Sequence, residues 1–372
     1  MDIKKNNLSK LSKKQFQKNL LDWFHKNARS LPWRGIKDPY YIWISEIMLQ
    51  QTRVDTVIKY FPLFIETFPT IHDLATSQVN EVLHYWQGLG YYRRALNIHK
   101  TAKIIDKEYH GHFPTNYKKI IALPGIGDYT SGAIASIAFN QALPAIDGNI
   151  KRVISRIFFL TEDINKAKTI DKIKEFVKEI ISKEYPGNFN QALMEIGATL
   201  CSPKKPNCQK CPIKENCIAA SKAKQELLPF RSKKKKPKIL NMEIAIVRNK
   251  NGLLLVKRSS DIILAQLWGL PVVENQSQLS NGNDICNWVE KELNIPLLNK
   301  VILIKKLTYT FTHQIWKINL YLVNTRFQNN TNFNRQNPNA CWIKKEELGH
   351  FPIPQAFRKC LKEYFNLSLV EG

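Results

Sequence analysis

No uninterrupted apolar run in this sequence is long enough to cross a bilayer, which excludes a helical membrane anchor. The stretch Met1 to Gln15 is polar and lysine-rich with no apolar centre, so no secretory signal is expected and the cytoplasm is the expected compartment. Acidic residues are scarce: 31 Asp and Glu stand against 56 Lys and Arg, a formal charge of +25. That imbalance predicts attraction to a polyanion and favours nucleic acid over a membrane surface. Cysteine is sparse and uneven. Four of the seven fall between Cys201 and Cys217, while Cys286, Cys341 and Cys360 are scattered, a pattern that argues against a disulfide framework.

What is present suffices for packed cores, since 372 residues with 44% hydrophobic content allow two or three domains. Phe16 to Cys217 shows helix-like periodicity punctuated by Pro and Gly, whereas the chain from Met242 on is rich in short β-branched and aromatic runs. Between them, Arg231 to Lys238 carries six basic residues and no acid, which suits an exposed linker or a phosphate contact.

Four motifs carry the chemistry. In Trp43 to Val54, Glu46 stands among large apolar side chains near Gln50 and Gln51; in a helix Glu46 and Gln50 lie one turn apart. A carboxyl so placed can stay protonated near neutral pH, the plain alternative being a solvated helix position. Leu123-Pro124-Gly125-Ile126-Gly127 lies between helix-like segments Tyr117 to Ala122 and Asp128 to Phe139. Its glycines allow a tight hairpin whose N–H groups meet a helix N-terminus, able to hold a phosphate or simply to join two helices. Asp147-Gly148-Asn149 precedes another helical stretch, so Asp147 reads as an N-cap; backbone N–H groups would also keep it ionised, fit to stabilise a developing cation. Cys201-x6-Cys208-x2-Cys211-x5-Cys217 suits four thiolates on one site, with the spacing favouring a [4Fe-4S] cluster over zinc or unligated thiols.

In this order and spacing, the segments resemble the adenine-specific branch of the endonuclease III superfamily of helix-hairpin-helix DNA glycosylases, over almost the whole chain. The resemblance implies a base-flipping repair enzyme acting as a monomer on double-stranded DNA that carries adenine opposite 8-oxoguanine or guanine. It implies one [4Fe-4S] cluster and association with the nucleoid. Glu46 would protonate adenine and Asp147 would stabilise the sugar cation or add to it. Arg34, Asn149 and Gln191 would lie near the base or the acid, and Gly125 and Gly127 would hold backbone phosphate. Tyr129 stands where lyases of the superfamily carry a nucleophilic lysine, which implies a monofunctional enzyme, because a phenol cannot form a Schiff base. Gln51, Leu89 and Tyr91 would probe the strand opposite adenine. A glycosylase that also cleaves the strand, and an inert lesion sensor, remain as alternatives.

Met242 to Arg248, the turn Asn249 to Gly252 and Leu253 to Arg258 read as a hairpin, with strands near Leu307 to Val323 and helices at Ile285 to Leu293 and Gln355 to Tyr364. With Leu267 to Pro271 this resembles a Nudix-like domain that recognises 8-oxoguanine. Trp288 to Leu293 keeps two glutamates and lacks the dense acidic array a pyrophosphohydrolase needs, so the domain reads as a recognition module. Phe311-Thr312-His313 would be its reading element, with threonine where the family more commonly has serine. The expected organisation is multidomain α and α+β: an all-α helix-hairpin-helix core over 1–225, a basic linker over 226–239, and an α+β Nudix-like domain over 240–368.

Overall fold

The computed structural model describes residues 10–232, 236–250, 252–259, 263, 264, 266–274, 281–298, 301–327, 333 and 337–368. Lys233 to Lys235 of the expected linker and Asn251 of the expected hairpin turn lie outside them. The chain divides into two compact units, Met1–Ser77 with Asn97–Lys233 and Gln78–Leu96 with Lys234–Gly372.

The N-terminal half is helical: α1 (Lys10–Asn27), α2 (Pro39–Leu49), α3 (Val54–Thr67), α4 (Ile71–Thr76), α5 (Val79–Tyr85), α6 (Arg93–Tyr109), α7 (Tyr117–Ile121), α8 (Asp128–Ile137), α9 (Gly148–Ile157), α10 (Ala167–Ile180), α11 (Pro186–Thr199) and α12 (Ile218–Ser221). The segments expected on either side of the Pro-Gly turn appear as α7 and α8, their ends shifted by a residue or two, as fraying helix termini allow. In the first unit, Phe16, Leu20 and Phe24 of α1 pack with Ile150, Val153, Ile154 and Ile157 of α9, Ile173 and Val177 of α10, and Phe189, Leu193 and Ile196 of α11. Spacings of three and four residues put each set on one helix face, which is why burying them brings these helices together. Helix α2 differs, being buried at Tyr40 and from Ile42 to Met48. Pro39 starts it, and Asp38 caps it by accepting from the Tyr40 N–H. At Gly132 of α8 a Cβ would stand 2.2 Å from the Pro144 carbonyl oxygen, so only glycine lets α8 approach the segment leading to Asp147.

In the second unit, strands β1 (Lys238–Asn249), β2 (Gly252–Lys257), β3 (Trp268–Gly269), β4 (Val272–Glu274), β5 (Val301–Thr310), β6 (Gln314–Asn324) and β7 (Ala340–Ile343) form one sheet. Its order is β3-β2-β1-β6-β5, with β4 on β1 and β7 on β2. The expected hairpin is present, with Arg248 opposite Leu253. The parallel pairing of β1 with β6 was not readable from local sequence. Alternation along β1 sends Ile244 and Ile246 to one face and Ala245 and Val247 to the other. Helix α13 (Asn283–Leu293) covers the second face with Ile285 and Val289, and α14 (Gln355–Ser368) covers the first with Phe357 and Leu361. The α+β expectation thus takes the form of a mixed sheet between two helices.

Candidate active site

Helix α2 carries Glu46 into the interior, where it is 6% exposed, and α8 brings Tyr129 to it. The Tyr129 hydroxyl donates to Glu46 Oε2. Burial, with a smaller push from Asp147, outweighs the pull of Tyr129 and Arg34 and holds the Glu46 carboxyl up at about 7. A carboxyl in that range can hold a proton at neutral pH and release it on demand. Burial, followed by the neighbouring Glu46 and Asp147, raises the Tyr129 phenol well above its ordinary value, so the hydroxyl stays a donor.

Asp147 is the N-cap of α9: Oδ1 accepts from the Ile150 N–H at 2.6 Å, and Oδ2 accepts from Asn149 Nδ2 at 2.8 Å. Capping was expected to hold this carboxylate down; burial instead outweighs the hydrogen bonds and raises it. Asn149 is fixed in turn, since Arg152 Nη2 donates to its Oδ1 at 2.9 Å and to the Gly197 carbonyl at 2.7 Å. Arg152 Nε donates to the Cys201 carbonyl at 2.7 Å. One chain of hydrogen bonds therefore runs from the first cysteine of the loop to Asp147.

Arg34 donates through Nη2 to Glu195 Oε2 at 2.8 Å and stacks over Phe24 at 5.1 Å, while its Nε and Nη1 are buried without a hydrogen-bond partner. Glu195 is also held by Arg29, at 2.5 Å. Burial opposes its charge, but the two guanidinium groups prevail and lower its pKa. Gln50 donates to Thr130 Oγ1 at 3.2 Å. Gln51 does not join it: the residue is exposed and left-handed, at φ 58°. Gln191 bonds back along its own helix to the Gly187 carbonyl at 3.4 Å rather than to the acids. At Gly125, φ is 77° and a Cβ would stand 2.7 Å from Asn97 Cβ, so the turn needs glycine twice over; Gly127 is the N-cap of α8.

In the second unit Leu89 is buried, at 5% exposure, and Tyr91 is exposed and left-handed at φ 50°. Phe311 is half-buried, while Thr312 and His313 stand exposed in the turn between β5 and β6. Glu290, one of the two glutamates noted in α13, accepts from the Leu297 N–H at 3.2 Å. The buried Glu243 accepts from the N–H groups of Gly282 and Ile285, capping α13.

Cys201, Cys208, Cys211 and Cys217 are half-buried free thiols. Buried Arg156 braces the start of their loop, donating to Cys201 Sγ at 3.2 Å and to the carbonyls of Ser202 and Pro203. Among the described residues, no group of three or more His, Cys, Asp or Glu side chains stands in a metal-holding arrangement.

Comparison with known proteins places the chain in a family. The family profile of the HhH-GPD superfamily base excision DNA repair proteins matches residues 44–179, and that of the NUDIX domain matches 243–363. The adenine DNA glycosylase of Buchnera aphidicola subsp. Acyrthosiphon pisum is 37% identical over 357 residues, covering 95% of this chain and 99% of that protein. The chain belongs to the adenine DNA glycosylase family. The human member is 29% identical over 410 residues, covering 94% of this chain and 74% of its own. A solved thermostable thymine-DNA glycosylase matches with a TM-score of 0.52 at 29% identity, over 56% of this chain and 97% of that one.

Among the residues that hold this site together, sequence reasoning missed Glu195 and Arg152. Glu195 carried a legible signal, because it repeats the Glu46 pattern: an acid in an apolar stretch, one turn from an amide, here Gln191. Arg152 carried none, since its partners are carbonyls set by tertiary packing.

Proposed function

We propose that this chain excises adenine from duplex DNA in base excision repair, hydrolysing the N-glycosidic bond of adenine mispaired with 8-oxoguanine or guanine. Glu46 is the general acid. Adenine anion is a poor leaving group, so a proton must reach the base, at N7 in this reading, and the elevated Glu46 carboxyl next to Tyr129 is the observation that carries the assignment. Tyr129 positions Glu46 and offers no amine for a Schiff base, which supports hydrolysis without strand cleavage. Asp147, pinned by Ile150 and Asn149, faces the oxocarbenium-like sugar, and its carboxylate stabilises the developing charge. Arg34 keeps two buried donor atoms for the flipped nucleotide.

The four cysteines hold a [4Fe-4S] cluster in this reading. The chemistry of the donor set supports this: four thiols share one loop, Cys208 and Cys217 are raised by burial and by Cys201, and Arg156 and Lys214 offset part of that at Cys208. A bound cluster would clamp the loop whose first carbonyl anchors Arg152. Exposed Lys204, Lys205, Lys210 and Lys214 face solvent around it, and with the hairpin glycines they meet DNA phosphates. Among the described residues no helix is long and apolar enough to cross a membrane.

A single-turnover assay on a duplex with one adenine opposite 8-oxoguanine tests the reading. Free adenine with an intact abasic strand, lost in Glu46→Gln, is the expected result. Borohydride-trapped strand cleavage would replace it with a lyase, and binding without base release would leave a lesion sensor.

A further inference from the structure

We propose that Arg231 is held as a fixed contact for a backbone phosphate of the nucleotide whose base is removed, with Lys151 beside it and Asp163 as the clasp that places it; this deepens the function proposed above and rests on it. The chain leading into the basic stretch is tied to the first unit at three points. Buried Arg156 of α9 donates through Nε to the Leu228 carbonyl at 2.9 Å. The Ile164 N–H donates to the Phe230 carbonyl at 3.2 Å, and Ser232 donates to Asp163 Oδ2 through Oγ at 2.5 Å and through its N–H at 3.3 Å. Asp163 is itself set: it is buried, and its Oδ1 accepts from the Asn165 N–H at 2.9 Å. Arg231 stands exposed between two of these anchors, so the backbone that carries it has little freedom.

The charges around Arg231 suit an anion. Lys151 lies on α9 one turn after Asp147, whose carbonyl accepts its N–H at 3.0 Å. Burial and then the nearby Arg231 charge lower the Lys151 ammonium, while Asp147 raises it and Lys174 lowers it less. Lys174 is already occupied, since its Nζ donates to Asp128. Lys151 and Arg231 have no ion-pair partner among the described residues. Two like charges brought together in this way repel each other, and an anion between them relieves the repulsion. The anion at hand is the phosphodiester: Asp147 faces the sugar in the function proposed above, and a deoxyribose carries a phosphate on each side, within reach of cations one turn along α9. A guanidinium can take two phosphate oxygens at once, and a tethered backbone loses less freedom on binding than a loose linker would. Such a contact fixes the position of the substrate without reading its sequence.

Equilibrium binding to a duplex with a stable tetrahydrofuran abasic site opposite 8-oxoguanine, followed from about 50 to about 200 mM salt, tests this without turnover. Arg231→Gln should bind more weakly and lose about one counterion from the salt dependence, so that its deficit shrinks about threefold over that range, and Arg231→Lys should keep the wild-type slope. Asp163→Asn is the sharper variant. It keeps an oxygen for the Asn165 N–H and puts an amide N–H where Ser232 now donates. Because it deletes a negative charge, general electrostatics calls for tighter binding; the clasp calls for weaker binding, the same reduced slope, and no further loss when Arg231→Gln is added. A neutral methylphosphonate at one of the two linkages flanking the abasic residue should erase the difference between wild type and Arg231→Gln. Tighter binding by Asp163→Asn, an unchanged slope in Arg231→Gln, or a deficit that survives both neutral linkages would overturn the assignment while adenine excision stands. A wild-type protein with no affinity for the duplex would sink the proposed function itself.

Discussion

Replacing Glu46 with glutamine should stabilise the protein at neutral and alkaline pH while it destroys base release. Burial outweighs the opposing pull of Tyr129 and Arg34, so the Glu46 carboxyl rises from 4.5 to about 7. In the folded chain the group keeps a proton that the unfolded chain has lost. Its contribution to stability is therefore intact below about pH 4.5 and is lost as pH rises through about 7. At about 1.36 kcal/mol for each pH step between the two values, the folded wild type forfeits about 3 kcal/mol by pH 8. Glutamine keeps an oxygen for the Tyr129 hydroxyl and cannot ionise. The stability gap between variant and wild type should thus grow from near zero at about pH 4.5 to about 3 kcal/mol at pH 8, or about 6–12 °C in Tm for the transition of the first unit. Thermal unfolding followed across that pH range measures it, and the single-turnover rate of the same variant should drop at least 10²-fold to 10⁴-fold, roughly the share of a general acid. A gap that is the same at pH 5 and pH 8, or a wild type more stable than the variant at pH 8, would refute the burial of a high-pKa acid.

Three other outcomes follow from the same geometry. Tyr129→Phe removes a hydrogen bond that lowers the Glu46 pKa, so the alkaline limb of the rate profile should move above about 7 while the maximal rate falls; a shift to lower pH would contradict the contact. Gly132→Ala puts a methyl group against the Pro144 carbonyl, and unfolding measurements should show a loss of about 1–3 kcal/mol, with adenine release impaired because α8 and the Asp147 segment must part. Cys211→Ser should lower the iron content and the visible absorption of the purified protein, and full-length chain with stoichiometric zinc in place of iron would end the cluster assignment.

The helical half and the acid were legible because their signals are local. Asp38-Pro39 announces a helix start, and Glu46 is conspicuous because an acid among Trp43, Ile44, Ile47 and Met48 must be either neutral or paired. Tyr129 was legible only through the resemblance; its hydrogen bond to Glu46 depends on how α8 packs beside α2. Long-range relations left no trace in short windows. The parallel β1–β6 pairing, the Arg152 bridge and the raised Asp147 carboxyl all arise from partners far apart in sequence. Asp147 shows why the reading fell short there: the cap was plain in Asp-Gly-Asn, but the burial that overrides its effect belongs to the packed site.

Gln51 and Tyr91 share a conformation that the sequence did not advertise, each holding φ near that of a left-handed residue. A side chain there costs about 1 kcal/mol that glycine would not, and Gly88 and Gly90 show that the turn carrying Tyr91 accepts glycine. At two exposed positions, then, the chain carries a bulky amide and a phenol where folding alone would favour no side chain at all. Glycine at Gln51 would relieve that strain outright, whereas glycine at Tyr91 would relieve it only by giving up the ring that lies over the Arg94 guanidinium.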